Sequence, residues 1–539
     1  MGFVGPDEPR YADVARAMQQ TGDYVTPRLF GEPWFEKPPL YYWLAAQFFR
    51  LDANEIGARL PSALAAVVFL WFWFSFTRKL FGTQPAALAA IMLGSTLGWI
   101  GFAHAAVMDM LLAATLDGAL LMLGMWFWHR EEQHLYLFYV LLGLATLAKG
   151  PVAIVLAGMI ALAYVVTYRD WKALRQTLLS RGVLLFAVVA VPWYALCYAR
   201  NGQSFIQEFF VVHNLGRFTS LALGHGQPVW YFLPILAAGL FPWTPMLLLP
   251  LADLARSPKA LFANRQRTFL FYWAFLTFLF FSLSQNKLPG YVLPILPPLT
   301  LWIALIIEGR ASEGLELEGQ EEEPVSEESA WLPRLAACLI GLSALLLLAV
   351  PLAVPLLGDV FVMGLRRALE ASGGVHLAAW LKGPVPPAAW ILLLIPIAFS
   401  LYKLWRMDVV EAAFLVLVGM ALCMVGMVQY VSPAINRVAS VRTVGQRLRA
   451  LEIGGDQLAV VGLHRDHMLG LGFYMDHSLS EWNPKSSPSS ISYVLAKDGE
   501  RIEEGRSMIL FPGPHLRLWV LPPAQFDVNV QVEPGGSKK

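Results

Sequence analysis

The chain has 539 residues, of which 57% are hydrophobic and only 15% charged, with 19 Trp and a mean hydropathy of +0.53. A soluble core of this length cannot bury so much apolar surface, so the composition excludes an ordinary soluble enzyme and predicts a polytopic α-helical membrane protein. A formal net charge of +1 leaves no basic field for nucleic acid. Cys197, Cys338 and Cys423 all fall in apolar stretches without ligand spacing, so they read as small core hydrophobes.

Residues 1–56 form the first loop. Within it, residues 9–20 read as a helix: Asp7 or Glu8 can cap it and Pro9 suits its first turn. Tyr11, Val14, Ala15 and Met18 recur at helical spacing, and Gly22 ends it. Its apolar stripe is expected to lie along the membrane surface and to hold the acidic cap at the bilayer interface. Read in isolation, Asp7 is equally a simple cap and Arg10 a snorkelling anchor.

A bilayer core needs roughly 20 apolar residues per helix. Hydropathy places about twelve membrane helices, near 57–80, 84–103, 108–128, 134–149, 151–167, 182–199, 229–250, 268–284, 288–307, 331–357, 386–405 and 409–431. Lys149-Gly150-Pro151 marks a turn between two of them. Asp109 starts the 108–128 helix, where it reads either as an N-cap or as a functional carboxylate, and Asp117 lies deeper in the same helix.

Orientation follows from the basic loops. Arg78-Lys79, the Arg169/Lys172/Arg175/Arg181 group, the Arg256/Lys259/Arg265/Arg267 group and Lys403/Arg406 fall on one side, which the positive-inside rule makes cytoplasmic. The first loop, the 200–228 loop, the Ser284-Gln285-Asn286-Lys287 turn and the tail after 432 then face outward. The basic residues of the first loop are nearly matched by acidic ones, which predicts a folded loop rather than a cytoplasmic anchor. Residues 308–330, with Glu321-Glu322-Glu323, read as a disordered acidic linker on the cytoplasmic side. In the tail, 456–462 and 507–511 read as buried strands, so 432–539 is expected to form a small α/β extracytoplasmic domain.

Three stretches of the first loop carry a resemblance: Asp7-Glu8-Pro9-Arg10-Tyr11-Ala12, Gly22-Asp23-Tyr24-Val25-Thr26-Pro27 and Phe35-Glu36-Lys37-Pro38-Pro39-Leu40. In this order they resemble the first extracytoplasmic loop of the polyprenyl-phosphate-sugar-dependent glycosyltransferases of the GT-C fold, above all the bacterial aminoarabinose transferase branch, which is related to protein O-mannosyltransferases. Val212-His213-Asn214-Leu215-Gly216-Arg217-Phe218 and Asn286-Lys287-Leu288-Pro289-Gly290-Tyr291-Val292-Leu293-Pro294 are similar to that group's later outward loops. The group has a membrane helix before the Asp-Glu motif, where only residues 1–6 stand here. The expectation is either a start placed too far downstream or a lineage without that helix.

The resemblance implies roles. Arg10, Lys37 and Arg217 match positions that bind the lipid phosphate, a task suited to a forked guanidinium and a point-charge ammonium; Lys37 also reads as a snorkelling anchor. Asp7 matches the leading acidic residue and Asp109 the later one, either of which could deprotonate an acceptor or stabilise charge at the anomeric carbon. Glu8, His104, Lys287 and Tyr291 are further candidates. Glu36 and His213 are the implied ligands of a divalent cation, though a complete site takes three or four.

The leading expectation is therefore an inverting glycosyltransferase in the bacterial inner membrane, with 1–431 as its transmembrane catalytic domain. It would move a sugar from undecaprenyl phosphate to lipid A, a glycan or a protein. The alternatives are a polytopic lipid or solute transporter and an oligosaccharide polymerase or ligase.

Overall fold

The computed structural model describes residues 1–309 apart from 52–53, 217–226 and 257. Beyond these it describes 338–339, 341–343, 345, 395–403, 409–426, 440–483, 490–497, 502, 506–511 and 516–521. Two compact units emerge: the described residues of Met1–Arg10 and Ser432–Lys539 belong to one, and those of Tyr11–Asp359 and Leu381–Val431 to the other.

The helical unit follows the apolar segments. Helix α1 (Asp7–Thr21) spans the helix expected over 9–20 and closes on Gly22, whose φ of +72° suits glycine. Its apolar stripe is covered by protein rather than by lipid: Tyr11, Val14, Ala15 and Met18 are buried, and the Tyr11 ring packs on Tyr41 and Tyr42 at 6.2 and 6.1 Å. After α2 (Leu40–Phe49), Asn54 caps α3 (Glu55–Phe81) by accepting from the Ile56 and Gly57 amides.

The segment expected as one helix over 84–103 is α4 (Thr83–Ser95) and α5 (Leu97–Ala103), bent by 61°. Thr96 between them is extended and its hydroxyl caps α5, while the Leu97 amide leaves the helical ladder for the Phe241 carbonyl at 2.8 Å. Helix α6 (Asp109–His129) is buried along nearly its whole length. It packs against α7 (Glu132–Lys149) and against the 3₁₀ segment Pro289–Ile295. Gly150, at φ +91°, makes the expected turn into Val152–Tyr168.

Two further expectations are revised. The loop expected to begin at 200 instead kinks at Gly202, whose φ of +59° breaks the helix, and then resumes as helix through Phe205 and a π-helical stretch, Ile206–Leu215. The span expected over 229–250 is broken into Val229–Tyr231, Phe232–Leu240, Thr244–Leu247 and Leu248–Arg256. Pro242 and Pro245, which lack an amide proton, fall at the break. Among the described residues four helices are long and apolar enough to cross a membrane, or five if α4 and α5 make one bent span. The remaining expected spans are shorter, less apolar or interrupted, or lie outside the described residues; 331–357 and 386–405 fall largely outside, as does 310–330 of the acidic linker.

The other unit contains a five-stranded sheet of order β4-β3-β5-β7-β6, with β3 (Leu458–Val461), β4 (Ser480–Glu481), β5 (Tyr493–Lys497), β6 (Arg506–Phe511) and β7 (Leu516–Val520). β3 runs parallel to β4 and β5, whereas β7 is antiparallel to β5 and β6. Val444 and Leu448 of helix Arg442–Ala450, with Leu471 and Met475 of helix Arg465–Met475, join Leu458, Val460, Leu495 and Leu518 in its core.

Candidate active site

The first loop is built so that its charges have fixed positions. Asp7 and Glu8 open α1, where unpaired backbone amides favour negative charge. Asp7 accepts from Arg10 one turn on at 2.5 Å, and Glu8 accepts from the Val4 amide at 3.0 Å. Arg10 is buried, while the Asp7 side chain keeps 38% of its surface exposed. Asp7 is therefore the open member of the pair, oriented by a buried cation.

Further along, Asp13 holds the loop to α1: one carboxylate oxygen accepts from Arg16 at 2.5 Å and the other from the Phe30 amide at 2.8 Å. Phe30 and Gly31 both have positive φ and turn the hairpin β1 (Arg28–Leu29)–β2 (Glu32–Pro33). The chain then plants Phe35 in an apolar cluster with Trp193, Cys197, Phe205 and Phe209. That anchor fixes the next two residues, Glu36 and Lys37, both buried and 3.6 Å apart. Trp34 lies 6.3 Å from the His213 ring, so the first loop and the Val212–Gly216 motif are neighbours.

A second cluster lies where α6 begins and α7 ends. Asp109 is not the N-cap of α6; Met108 holds that position and Asp109 is in the first turn. Its carboxylate instead pairs with Lys149 Nζ at 2.5 Å. The same ammonium sits 4.4 Å from the centroid of the Tyr291 ring, an electrostatic attraction to the ring face. Gly290 makes this approach possible, because a Cβ there would come within 2.6 Å of Asp109 Cγ and 2.9 Å of Phe102 Cε1. On the other side, a Cβ on Gly150 would meet Asn214 and Phe209 at 3.3 Å, which brings the Val212–Gly216 motif beside the Lys149 turn. Sequence reading treated Lys149 only as part of a turn. The signal was an ionisable side chain closing an otherwise apolar helix, a position that calls for a partner.

The remaining candidates are distributed around these clusters. Lys287 is buried and donates to the Ser284 carbonyl and to the Gln227 carbonyl at 3.0 Å; burial pulls its ammonium below the usual lysine range. His104 ends α5 with Nδ1 2.8 Å from the Ile100 carbonyl, exposed and locally satisfied. Asp117, fully buried, accepts from Trp273 Nε1 at 3.2 Å, and the same indole reaches the Pro294 carbonyl at 3.0 Å. It thereby braces the segment that carries Tyr291. Arg217 lies outside the described residues. Among the described residues no group of three or more His, Cys, Asp and Glu is gathered for a metal. Glu36 and His213 would make two of the three or four ligands that a cation site takes.

Comparison with known proteins places this geometry. Residues 36–195 match the family model for dolichyl-phosphate-mannose-protein mannosyltransferases. The undecaprenyl phosphate-α-4-amino-4-deoxy-L-arabinose arabinosyl transferase of Edwardsiella ictaluri is 31% identical over 362 residues, 64% of this chain and 61% of that protein. Its namesake from Pseudomonas aeruginosa is 32% identical over 335 residues, 59% and 58% of the two chains. The match thus spans about three fifths of the length of these relatives. Among solved structures, ArnT from Cupriavidus metallidurans bound to undecaprenyl phosphate superposes with a TM-score of 0.72 at 23% identity, covering 96% of this chain and 94% of that one; its apo form gives 0.70. The chain is homologous to the aminoarabinose transferases and shares their GT-C membrane fold.

Proposed function

We propose that the protein transfers a sugar, 4-amino-4-deoxy-arabinose or a close analogue, from undecaprenyl phosphate to an acceptor on the outer side of the cytoplasmic membrane, lipid A being the leading choice. The observation that carries this reading is the placement of buried charge. Buried Lys37 and Lys287 and the half-buried pair Asp109–Lys149 stand in loops and at helix ends, with Asp117 the carboxylate set deeper in α6, on a chain homologous to lipid-linked-sugar transferases. A transporter would instead concentrate its functional charges near the bilayer midplane.

The chemistry is a displacement at the anomeric carbon. The acceptor oxygen attacks from the face opposite the phosphate, the bond from carbon to phosphate oxygen breaks, and undecaprenyl phosphate leaves with the electron pair, inverting the centre. Lys37, Arg10 and Arg217 are assigned to the phosphate, whose charge grows as the bond breaks, so each contact strengthens in the transition state. Asp7 takes the proton when the acceptor is a hydroxyl; facing an ionised phosphate acceptor, it orients the attacking group and stabilises the positive sugar. The Lys149–Asp109 pair supplies a second fixed cation and carboxylate.

Replacing Arg10, Lys37 or Arg217 by Ala is expected to raise the donor KM and lower turnover while the protein stays folded in the membrane, because each lost contact is charge-assisted. Steady-state kinetics with purified donor checks this, and wild-type donor affinity and turnover in all three variants would refute the phosphate assignment.

The outward orientation rests on the basic loops at 169–181 and 256–267. An engineered thiol at Ser204 should react with an impermeant maleimide from the outside of intact cells. Labelling only after the inner leaflet is opened would reverse the topology.

A further inference from the structure

The residues that precede Asp7 are held by the sheet-containing unit. Phe3 is buried, its ring 4.9 Å from Phe473 edge-on and 6.2 Å from Tyr474 in a stacked arrangement. Its amide donates to the Tyr474 hydroxyl at 3.1 Å. Both partners lie on helix Arg465–Met475, which packs into the core of the sheet through Leu471 and Met475, with Tyr474 against the same cluster. Just upstream, Gly2 lies so close to Ser440 that a Cβ on it would come within 3.1 Å of Ser440 Cβ. Downstream, the Val4 amide donates to Glu8, tying the lead-in to the first turn of α1. Side chain, backbone and close packing thus join residues 2–8 to 440–474 within one compact unit.

We infer that Phe3 and Tyr474 are positioning residues: they clamp the lead-in of α1 to helix Arg465–Met475 and so fix where Asp7 presents its carboxylate. The physical case is leverage over a short distance. Asp7 stands four residues from Phe3, its side-chain partner Arg10 lies on the same helix, and a first helical turn frays unless something outside the helix holds it. A buried aromatic contact of this kind contributes beyond its burial alone. That is enough to change the population of a frayed turn. Helix Arg465–Met475 thereby contributes to catalysis without supplying a group to the chemistry. This inference rests on the assignment of Asp7 in the proposed function, and its test is chosen so that the two can fail separately.

The geometric part is read by a G2C/S440C pair in the full-length membrane protein. A Cβ built on Gly2 would stand 3.1 Å from Ser440 Cβ, just below the roughly 3.5–4.5 Å of a disulfide, so slight relaxation admits the bond. Mild oxidation should give an intrachain disulfide between these two positions, identified by peptide mass spectrometry; no bond would overturn the clamp whatever the activity. The functional part is read by Phe3→Ala, with Phe3→Tyr as the conservative variant. Phe3→Ala should speed amide hydrogen exchange across residues 4–10 and lower kcat about tenfold while the donor KM holds, because the phosphate is gripped elsewhere; Phe3→Tyr should restore both. Wild-type exchange and kcat in Phe3→Ala, or a change confined to KM, would overturn the inference. A wild-type protein that transfers no sugar at all, yet forms the disulfide and shows the exchange contrast, would sink the assigned reaction and leave the clamp standing.

Discussion

Asp7→Asn is expected to lower turnover by on the order of a hundredfold or more, the usual contribution of a positioned general base, while the protein keeps its fold. Asn caps a helix about as well as Asp, so a residue acting only as a cap would lose no more than about 1 kcal/mol of stability and keep nearly full activity. The geometry favours the large effect. Asp7 is the exposed half of a pair with buried Arg10, and an amide in its place neither accepts the acceptor's proton nor answers positive charge at the sugar. Single-turnover assays with purified polyprenyl-phosphate sugar separate the two outcomes; near-normal turnover would transfer the catalytic assignment to Asp109.

Lys149→Ala is expected to cost about 3 kcal/mol of stability, toward the low end for breaking a buried ion pair, because it strands a carboxylate that is only 16% exposed. It also removes the cation beneath Tyr291. Thermal unfolding in detergent should show a clearly lowered midpoint, with transfer lost at temperatures where the wild type works. Gly290→Ala tests the same cluster without touching a charge. Its methyl group would collide with the Asp109 carboxylate and the Phe102 ring, so the carboxylate must turn away from Lys149. Comparable loss of transfer in both variants supports a working pair, whereas wild-type behaviour of Gly290→Ala would show that the pairing geometry is immaterial.

The parts of this architecture that sequence reading reached are those with local causes. Pro9 falls in the first turn of α1, Gly22 ends that helix and Gly150 ends α7, because these residues restrict or free the backbone wherever they occur. The Phe35-Glu36-Lys37 stretch was legible as a motif, but its burial was not: Phe35 is anchored by Trp193, Phe205 and Phe209, which are far away in sequence. The break at Thr96 had a local signal in Gly94-Ser95-Thr96-Leu97-Gly98, and it is completed by a tertiary contact, the Leu97 amide being drawn to the Phe241 carbonyl. The interrupted span at 229–250 carried a readable warning in Pro242 and Pro245 that hydropathy averaging smoothed over. Lys149 was hidden for a different reason. Its partner Asp109 stands 40 residues away, and only the packing of α6 on α7 reveals the pair.

The central claim is that a sugar leaves undecaprenyl phosphate in the presence of this protein and ends on an acceptor. Purified protein in liposomes with undecaprenyl-phosphate aminoarabinose and lipid A, followed by mass spectrometry of the extracted lipids, tests it most directly. The account predicts free undecaprenyl phosphate appearing in step with lipid A that is heavier by one sugar, and neither product with Asp7→Asn on the same timescale. Intact donor recovered on the opposite leaflet, with no modified acceptor, would contradict the account and identify a transporter instead.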